Sequence, residues 1–380
     1  MQVYRLGDRG PAVAEIRATL RGLGMLAAAG QAGTGLAYDR ARYDDACERA
    51  VRDFQQRRGL SVDGIVGKET YRALEEARWR LGDRVLTLRG GSPYAGDDVV
   101  SLQERLLGLG FDAGRADGVF GPRTAGALGE FQRNYGLVAD GTCGPLTLKA
   151  LGRLRRAVAG GSPHALREAE VLHQAGPTVV GKTVVIDAGH GGQDPGNRAG
   201  GLSEAELVAD LAGRLEGRLA AAGVTALPTH GPLRAPSDGE RAAVANAAEA
   251  DLLVSLHIDA AASVSCQGVA SFYYGTPGGA HSAMGERLAG LVQRELVART
   301  DLADCRYHPK TWDLLRWTRM PAVRVDLGYL TSRSDRARLA APEFRDVVAE
   351  ALLIAIQRLY LPNEQDPGTG AMRLPALVSF

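Results

Sequence analysis

Apolar residues recur at helical spacing through the N-terminal part of the chain, with short glycine-containing turns between the helical stretches. Two segments share one spacing: Val13, Ile16, Leu20 and Leu23 in the first, and Val99, Leu102, Leu106 and Leu109 in the second. Residues at these intervals lie on one face of an α-helix, and a following glycine favours the end of that helix. The pattern therefore predicts two equivalent amphipathic helices, ending at Gly24 and Gly110.

A longer internal repeat extends these segments into two copies of one module. Residues 54–74, FQQRRGLSVDGIVGKETYRAL, match residues 131–151, FQRNYGLVADGTCGPLTLKAL, in their Phe-Gln, Gly-Leu, Asp-Gly and final Ala-Leu. A repeat of this kind predicts the same supersecondary unit twice. We therefore expect two small all-α modules, residues 1–80 and 84–156, with about nine extra residues in the first, an insertion that loops tolerate at little cost.

The pattern changes near residue 181 to β-branched runs that alternate with amphipathic helices. Five runs predict strands: KTVVIDAG, GVTALPTH, DLLVSLHID, GVASFYYG and AVRVDLGYL. Such alternation predicts an α/β domain with a mostly parallel sheet covered by helices, which we place at residues 181–362. A linker with one short helix, 157–180, precedes this domain, and residues 363–380 form a flexible or docked tail.

Composition excludes several classes of function. Of the 380 residues, 45 are Lys or Arg and 44 are Asp or Glu, so the net charge of +1 gives no basic field for nucleic acid. No apolar run reaches the roughly 18 residues of a membrane-spanning helix. The N-terminal sequence lacks the pattern of a secretory signal, so we expect a cytoplasmic protein. The four cysteines form no CxxC pair, which favours reduced thiols and leaves a Cys266–Cys305 disulfide open.

Three residues of the C-terminal domain have the character of metal ligands. His190 follows the first strand in IDAGHGGQDPG, Glu204 begins a helix in GLSEAEL, and His257 ends the strand LLVSLH. Sites in open α/β sheets form outside the carboxyl ends of strands, and two imidazoles with one carboxylate suit a hydrolytic Zn²⁺. The alternative is that each histidine is an ordinary hydrogen-bonded residue, which is the more common role of a histidine in a strand. A capping box of Ser203 and Glu206 opens the helix but does not account for Glu204.

Four motifs in this domain resemble those of the zinc-dependent N-acetylmuramoyl-L-alanine amidases: DAGHGGQDPG, GLSEAEL, ERAAVANAAEADLLVSLH and MPAVRVDLGYLTS. The resemblance covers about residues 181–360. It implies that His190, Glu204 and His257 bind Zn²⁺ and that the substrate is the amide between N-acetylmuramic acid and L-alanine. Asp326 stands where the family usually has a catalytic glutamate, and its carboxylate reaches about one methylene less far. The alternative is that Asp326 only ends a strand.

The two helical modules resemble the peptidoglycan-binding domain family, most closely through DGVFGPRT in the second copy. The resemblance implies ligand contacts at Asp117, Gly118, Gly121, Asp140 and Gly141. Asp-Gly is also a turn signal, so the same residues can serve only to build turns. In the first copy YDRARYDDACERA replaces the DGxFGxxT pattern, which puts its ligand surface in doubt.

Two functions remain open at this stage. The first is an amidase whose substrate is peptidoglycan or its muramoyl-peptide fragments. The second is a cytoplasmic amidase-like regulator or scaffold that contacts proteins of cell-wall precursor synthesis, with weak or absent hydrolysis. The overall layout is similar to that of the amidase-like proteins of actinobacteria, and this resemblance implies a regulatory role as the alternative. In that case Thr369 in the tail is a candidate phosphorylation site.

Overall fold

The computed structural model describes residues 3–27, 42–88, 93–154, 163–261, 263–276 and 280–373. The chain divides into two compact units, one of residues Met1–His164 with Thr276–Ala280 and one of Ala165–Gly275 with His281–Phe380. The region expected to carry the insertion of the first module, the start of the linker and the end of the tail lie outside the described residues.

The first unit is built from helices, as the repeats predict. The first module contains α1 (Pro11–Gly22), α2 (Asp45–Arg58) and α3 (Lys68–Ala77), and the second contains α4 (Asp97–Gly108), α5 (Pro122–Tyr135) and α6 (Pro145–Arg153). Each module has its own apolar core. Gly59 and Gly136 end α2 and α5 in the left-handed conformation, with φ of 64° and 77°, which glycine adopts without steric cost.

One hydrogen-bonded link recurs three times in these modules. Gln132 on α5 donates from Nε2 to Asp140 Oδ1 at 2.8 Å and to Thr147 Oγ1 at 3.1 Å. Its Oε1 accepts from the backbone N of Gly141 at 2.8 Å. Equivalent links join Gln55 to Asp63, Gly64 and Thr70, and Gln103 to Asp117, Gly118 and Thr124. In each case a buried glutamine ties an Asp-Gly turn to the helix that follows it.

The second unit is the α/β domain. Its first part contains α7 (Pro163–Gln174), β1 (Thr183–Ala188), β2 (Arg198–Ala199), β3 (Leu202–Ser203), α8 (Glu204–Ala221), β4 (Thr225–Pro228) and α9 (Asp238–Ala247). Its second part contains β5 (Leu252–Asp259), β6 (Val269–Tyr274), α10 (Ala283–Arg299), β7 (Asp304–Lys310), α11 (Asp313–Trp317), β8 (Ala322–Tyr329), α12 (Arg333–Ala340) and α13 (Pro342–Tyr360).

Six of these strands form one sheet in the order β4-β1-β5-β8-β6-β7. The neighbours from β4 to β8 are parallel, whereas β6 runs antiparallel to β8 and parallel to β7. The prediction of a mostly parallel sheet is therefore confirmed. The five predicted strands are β1, β4, β5, β6 and β8. The sequence analysis missed β7, a largely exposed edge strand with little apolar sequence.

The two faces of the sheet differ in what covers them. Helices α8, α10 and α13 pack against one face and form the larger core, to which Val254 and Leu256 of β5 contribute. Helices α9 and α11 cover the other face with a smaller cluster that includes Leu253. Because side chains alternate along a strand, Ser255 and His257 share this second face with Leu253. This second face carries the polar groups of the candidate site.

The described part of the C-terminal tail contacts α10 and α13. Asp366 accepts a hydrogen bond from Arg358 Nε at 2.6 Å, and the backbone N of Gly370 donates to Glu295 Oε1 at 3.1 Å. All four cysteines are free thiols, so Cys266 and Cys305 form no disulfide. Across the described ranges, none of the helices combines the length and the apolar surface needed to span a lipid bilayer.

Candidate active site

Three side chains that are distant in sequence converge at the carboxyl ends of β1 and β5. His190 lies in the loop after β1, Glu204 is the first residue of α8, and His257 is near the end of β5. One donor atom from each residue lies within 4.8 Å of the other two. Glu204 Oε2 is 3.1 Å from His190 Nε2, and its Oε1 is 2.9 Å from His257 Nδ1. The structure thus brings together the three predicted ligands.

Two glycines make this convergence possible. A Cβ at Gly189 would lie 2.4 Å from His257 Cε1, a distance that real Cβ atoms essentially never show. A Cβ at Gly196 would lie 2.6 Å from His190 Cδ2, and the φ of Gly196 is 63°. The glycine-rich loop after β1 therefore allows close packing around both imidazoles.

Glu204 is buried and held in its charged form. Asn197 donates to its Oε2 from both the backbone N and Nδ2, at 3.0 and 2.9 Å, and the backbone N of Ile258 donates to its Oε1 at 3.0 Å. Burial alone raises the pKa of this carboxyl, but the hydrogen bonds with His190, His257 and the backbone lower it well below its usual range. An anionic carboxylate is the form that binds a cation.

His190 is oriented by a second carboxylate. Its Nδ1 lies 2.7 Å from Asp194 Oδ2, which leaves Nε2 facing Glu204. The hydrogen bond with Glu204 raises the pKa of His190, and burial opposes it. A carboxylate that accepts from the second nitrogen of a ligand histidine is a common feature of zinc sites. Two imidazoles and one anionic carboxylate, clustered at hydrogen-bond separations, therefore fit a zinc ion with an open fourth position.

The backbone of His190 is held in an uncommon conformation by a buried ion pair. The φ of His190 is 66°, in the left-handed region. Its carbonyl oxygen accepts from Arg241 Nη2 and from His230 Nε2, each at 2.9 Å. Arg241 Nη1 in turn donates to Asp187 Oδ1 at 2.8 Å, and Asp187 is fully buried. This network positions the His190 ring.

Asp326 lies beside the three predicted ligands on the neighbouring strand. It pairs in register with His257, so the two side chains share the face of the sheet that carries the site. Asp326 is 8% exposed, and its Oδ1 accepts a hydrogen bond from Arg324 Nε at 2.8 Å. The guanidinium of Arg324 lies over the Trp312 ring, 4.4 Å from the centroid. Asp326, the carboxylate that the sequence assigns to catalysis, therefore forms an ion pair with Arg324.

The comparisons with known proteins establish the family of this chain. Residues 184–358 match the N-acetylmuramoyl-L-alanine amidase family, and residues 9–74 and 95–151 match a putative peptidoglycan binding domain. The chain is 50% identical over 380 residues to N-acetylmuramoyl-L-alanine amidase CwlM of Mycobacterium tuberculosis, covering 99% of this chain and 94% of that protein. This chain belongs to the N-acetylmuramoyl-L-alanine amidase family.

Two further amidases match about half of this chain. N-acetylmuramoyl-L-alanine amidase LytC of Bacillus subtilis is 32% identical over 195 residues, which cover 51% of this chain and 38% of LytC. Among solved structures, N-acetylmuramoyl-L-alanine amidase AmiC2 of Nostoc punctiforme is 29% identical with a TM-score of 0.43, covering 46% of this chain and 94% of AmiC2.

In this amidase the residues predicted to bind ligand in the second module have structural partners. Asp117 and Asp140 accept hydrogen bonds from Gln103 and Gln132, and Gly118 and Gly141 donate to the same glutamines. Gly121 precedes the first residue of α5 as its N-cap. Their role in building these turns is sufficient to explain the five residues, even if they bind no ligand. Contact of these residues with glycan or peptide stays a prediction.

The sequence analysis missed the residues that support the site. Asp194, Asn197 and Arg241 lie in or next to the quoted motifs, but only the folded chain shows what they contact. Asp194 is four residues after His190, a spacing that could have suggested a supporting carboxylate. Nothing in the sequence indicates that Arg241 reaches the carbonyl oxygen of His190.

Proposed function

We propose that this chain is a zinc-dependent amidase that hydrolyses the bond between N-acetylmuramic acid and L-alanine. The observation that carries this proposal is the convergence of His190, Glu204 and His257 on one point, in a chain of the amidase family. The substrate is peptidoglycan or a muramoyl-peptide fragment of it.

Each residue has a distinct role in the proposed reaction. His190, Glu204 and His257 would hold the metal, and Asp194 keeps the ring of His190 in the orientation that presents Nε2. Zinc held there would supply Lewis acidity toward an amide carbonyl and would lower the pKa of a bound water. Asp326, which pairs in register with His257, would accept a proton from the attacking water and return it to the departing amine.

The helical modules are proposed to retain the substrate near the catalytic domain. The second module carries the residues of the peptidoglycan-binding resemblance, Asp117, Gly118, Gly121, Asp140 and Gly141. In the first module Arg17 occupies the position of Gln103 and pairs with Asp44 at 2.6 Å. Since this module has a different set of polar groups at that position, we assign glycan binding to the second module.

A second function is favoured by one specific contact. The ion pair between Arg324 and Asp326 occupies the carboxylate that the proposed reaction uses as a base, and Asp326 is shorter than the glutamate that the family resemblance leads one to expect there. A regulator or scaffold of precursor synthesis, cytoplasmic as the sequence predicts, has no need of a free base. In that case the zinc site is a structural or ligand-binding feature, and protein partners of synthesis are the binding targets.

An amidase assay separates the two functions. The full-length protein, loaded with zinc, is incubated with N-acetylmuramoyl-L-alanyl-D-glutamate, and the released L-alanyl-D-glutamate is quantified. We expect release by the wild type and loss of release after chelation of the metal or after Asp326→Ala. Absence of release by the zinc-loaded wild type contradicts the amidase proposal and favours the regulator.

A further inference from the structure

Polar side chains on β8 extend the candidate site along the sheet, away from the predicted zinc ligands. On β8, Arg324 is two residues before Asp326, so both side chains are on the same face. Arg324 pairs in register with Ser255 of β5 on one side and with Phe272 of β6 on the other. These side chains therefore lead from His257 through Asp326 and Arg324 to an aromatic surface.

Arg324 uses only part of its hydrogen-bonding capacity. Its Nε donates to Asp326, and the face of its guanidinium lies on Trp312. Within the described ranges, neither terminal nitrogen of Arg324 has a hydrogen-bond partner, although the side chain is only 28% exposed. A guanidinium in this state presents two coplanar N–H groups in one direction, the geometry that a carboxylate matches.

A second cation lies on the same aromatic surface. Lys310 Nζ is 5.6 Å from the centroid of the Trp312 ring and 6.0 Å from that of Phe272. The two rings are in contact, with centroids 4.8 Å apart. Both positive groups therefore lie within about 6 Å of the Trp312 ring centroid, and an anion that reaches both is stabilised by both.

We propose that Arg324 and Lys310, supported by Trp312, form a subsite for a carboxylate on the peptide side of the substrate. The proposal rests on the proposed function, because it takes the zinc ligands as the position of the scissile amide. Arg324 is two strand residues from Asp326, about 6.6 Å along β8. This separation is about two residues of an extended peptide, which places the subsite at the second residue of the stem peptide, after L-alanine.

The subsite makes a testable distinction between two forms of the substrate. A second residue with a free α-carboxylate pairs with Arg324, whereas the amidated residue of the same size lacks the charge. A site built around a charged hydrogen bond rejects the analogue that lacks the partner, because the buried polar group is then left unpaired. Arg324 is therefore a specificity-determining residue.

The test compares two ligands that differ only in this group, the γ-methylamides of N-acetylmuramoyl-L-alanyl-D-glutamate and N-acetylmuramoyl-L-alanyl-D-isoglutamine, so that neither ligand carries a free γ-carboxylate. Binding to the full-length chain is measured by calorimetry after removal of metal, so that neither ligand is hydrolysed. We expect the acid to bind roughly tenfold or more tightly than the amide. Arg324→Leu brings this ratio close to one, and Arg324→Lys gives an intermediate ratio. Arg294→Leu, an exposed arginine on α10 at the opposite face, retains the wild-type ratio.

Two results overturn the proposal. One is a wild type that binds the two ligands equally or binds neither, and the other is a preference for the acid that survives in Arg324→Leu. Thermal unfolding of each variant shows that the change in ratio is not a loss of folding. This test and the amidase assay can fail separately. If the chain prefers the acid through Arg324 but releases no peptide, the subsite is supported and the proposed function is contradicted.

Discussion

Arg241 holds His190 by the backbone, because its Nη2 donates to the carbonyl oxygen of His190 at 2.9 Å. The contact holds the backbone of His190 at a φ of 66°, which is uncommon for a residue other than glycine. The other end of the guanidinium is bound to the fully buried Asp187. The position of one predicted zinc ligand therefore depends on an ion pair that does not touch the metal site itself.

Replacing Arg241 tests this dependence. Arg241→Met leaves Asp187 buried without its cation, and breaking a buried pair in this way costs about 3–5 kcal/mol. We also expect the affinity for zinc to fall about 10–100-fold, since supporting residues of metal sites have effects of this size. Zinc affinity is measured by chelator competition on protein shown to be folded. Unchanged affinity in the folded variant contradicts the positioning role, and Arg294→Leu serves as the control.

The same ion pair predicts a pH dependence of stability. Burial raises the pKa of Asp187, but Arg241 and the hydrogen bonds from Thr229 and Ser255 outweigh it and lower the pKa. The pKa of Asp187 is therefore lower in the folded chain than the value of about 3.9 in the unfolded chain. This difference stabilises the fold above about pH 3.9, and the stabilisation is lost as the pH falls through the pKa of the folded state. The difference in free energy of unfolding between wild type and Asp187→Asn should therefore be largest near neutral pH and shrink below about pH 4. A constant difference from pH 7 to pH 3 contradicts the assignment.

The length of the side chain at position 326 should control the rate. Misplacement of a catalytic group by about 1 Å can cost about a hundredfold, and aspartate is one methylene shorter than glutamate. If Asp326 acts as the base, Asp326→Ala should lower kcat by about 10²–10⁴, and Asp326→Glu should retain or increase it. The measurement is kcat for release of peptide from a muramoyl dipeptide. Activity that appears only in Asp326→Glu, with none in the wild type, supports the regulator.

The repeated glutamine links predict a difference between two adjacent residues. Gln55 is buried and bonded to Asp63, Gly64 and Thr70, whereas Gln56 is exposed. Gln55→Ala leaves buried polar groups unpaired and should lower the free energy of unfolding by about 1–3 kcal/mol. Gln56→Ala should change it by less than about 0.5 kcal/mol. Denaturant unfolding measures both, and equal effects argue against the link as a source of stability.

The sequence predicted much of the fold because the apolar periodicity is strong where the chain is buried. Strand β5, with LLVSLH, and helix α8, with its capping Ser203, carry clear signals of this kind. Strand β7 gave no signal because an exposed edge strand needs few apolar residues. The antiparallel direction of β6 was also not predictable, since it depends on pairing with β8 and not on the sequence of β6 itself.

The candidate site was predictable only as a list of residues. The motifs identified His190, Glu204 and His257, and the structure brings them together. Arg324 is a charged residue within the otherwise largely apolar AVRVDLGYL, and the sequence does not show what it contacts. Its pairing with Asp326 follows from the alternation of side chains along β8 and from the position of Trp312, which no local pattern encodes.

Zinc stoichiometry of the full-length protein tests the central claim most directly. Metal is measured by elemental analysis after dialysis, for the wild type, for His190→Ala and His257→Ala, and for His173→Ala, an exposed histidine on α7. The account predicts about one zinc per chain in the wild type and in His173→Ala, and little or none in the other two variants. A folded wild type without zinc, or His190→Ala and His257→Ala proteins that keep a full equivalent, would contradict it.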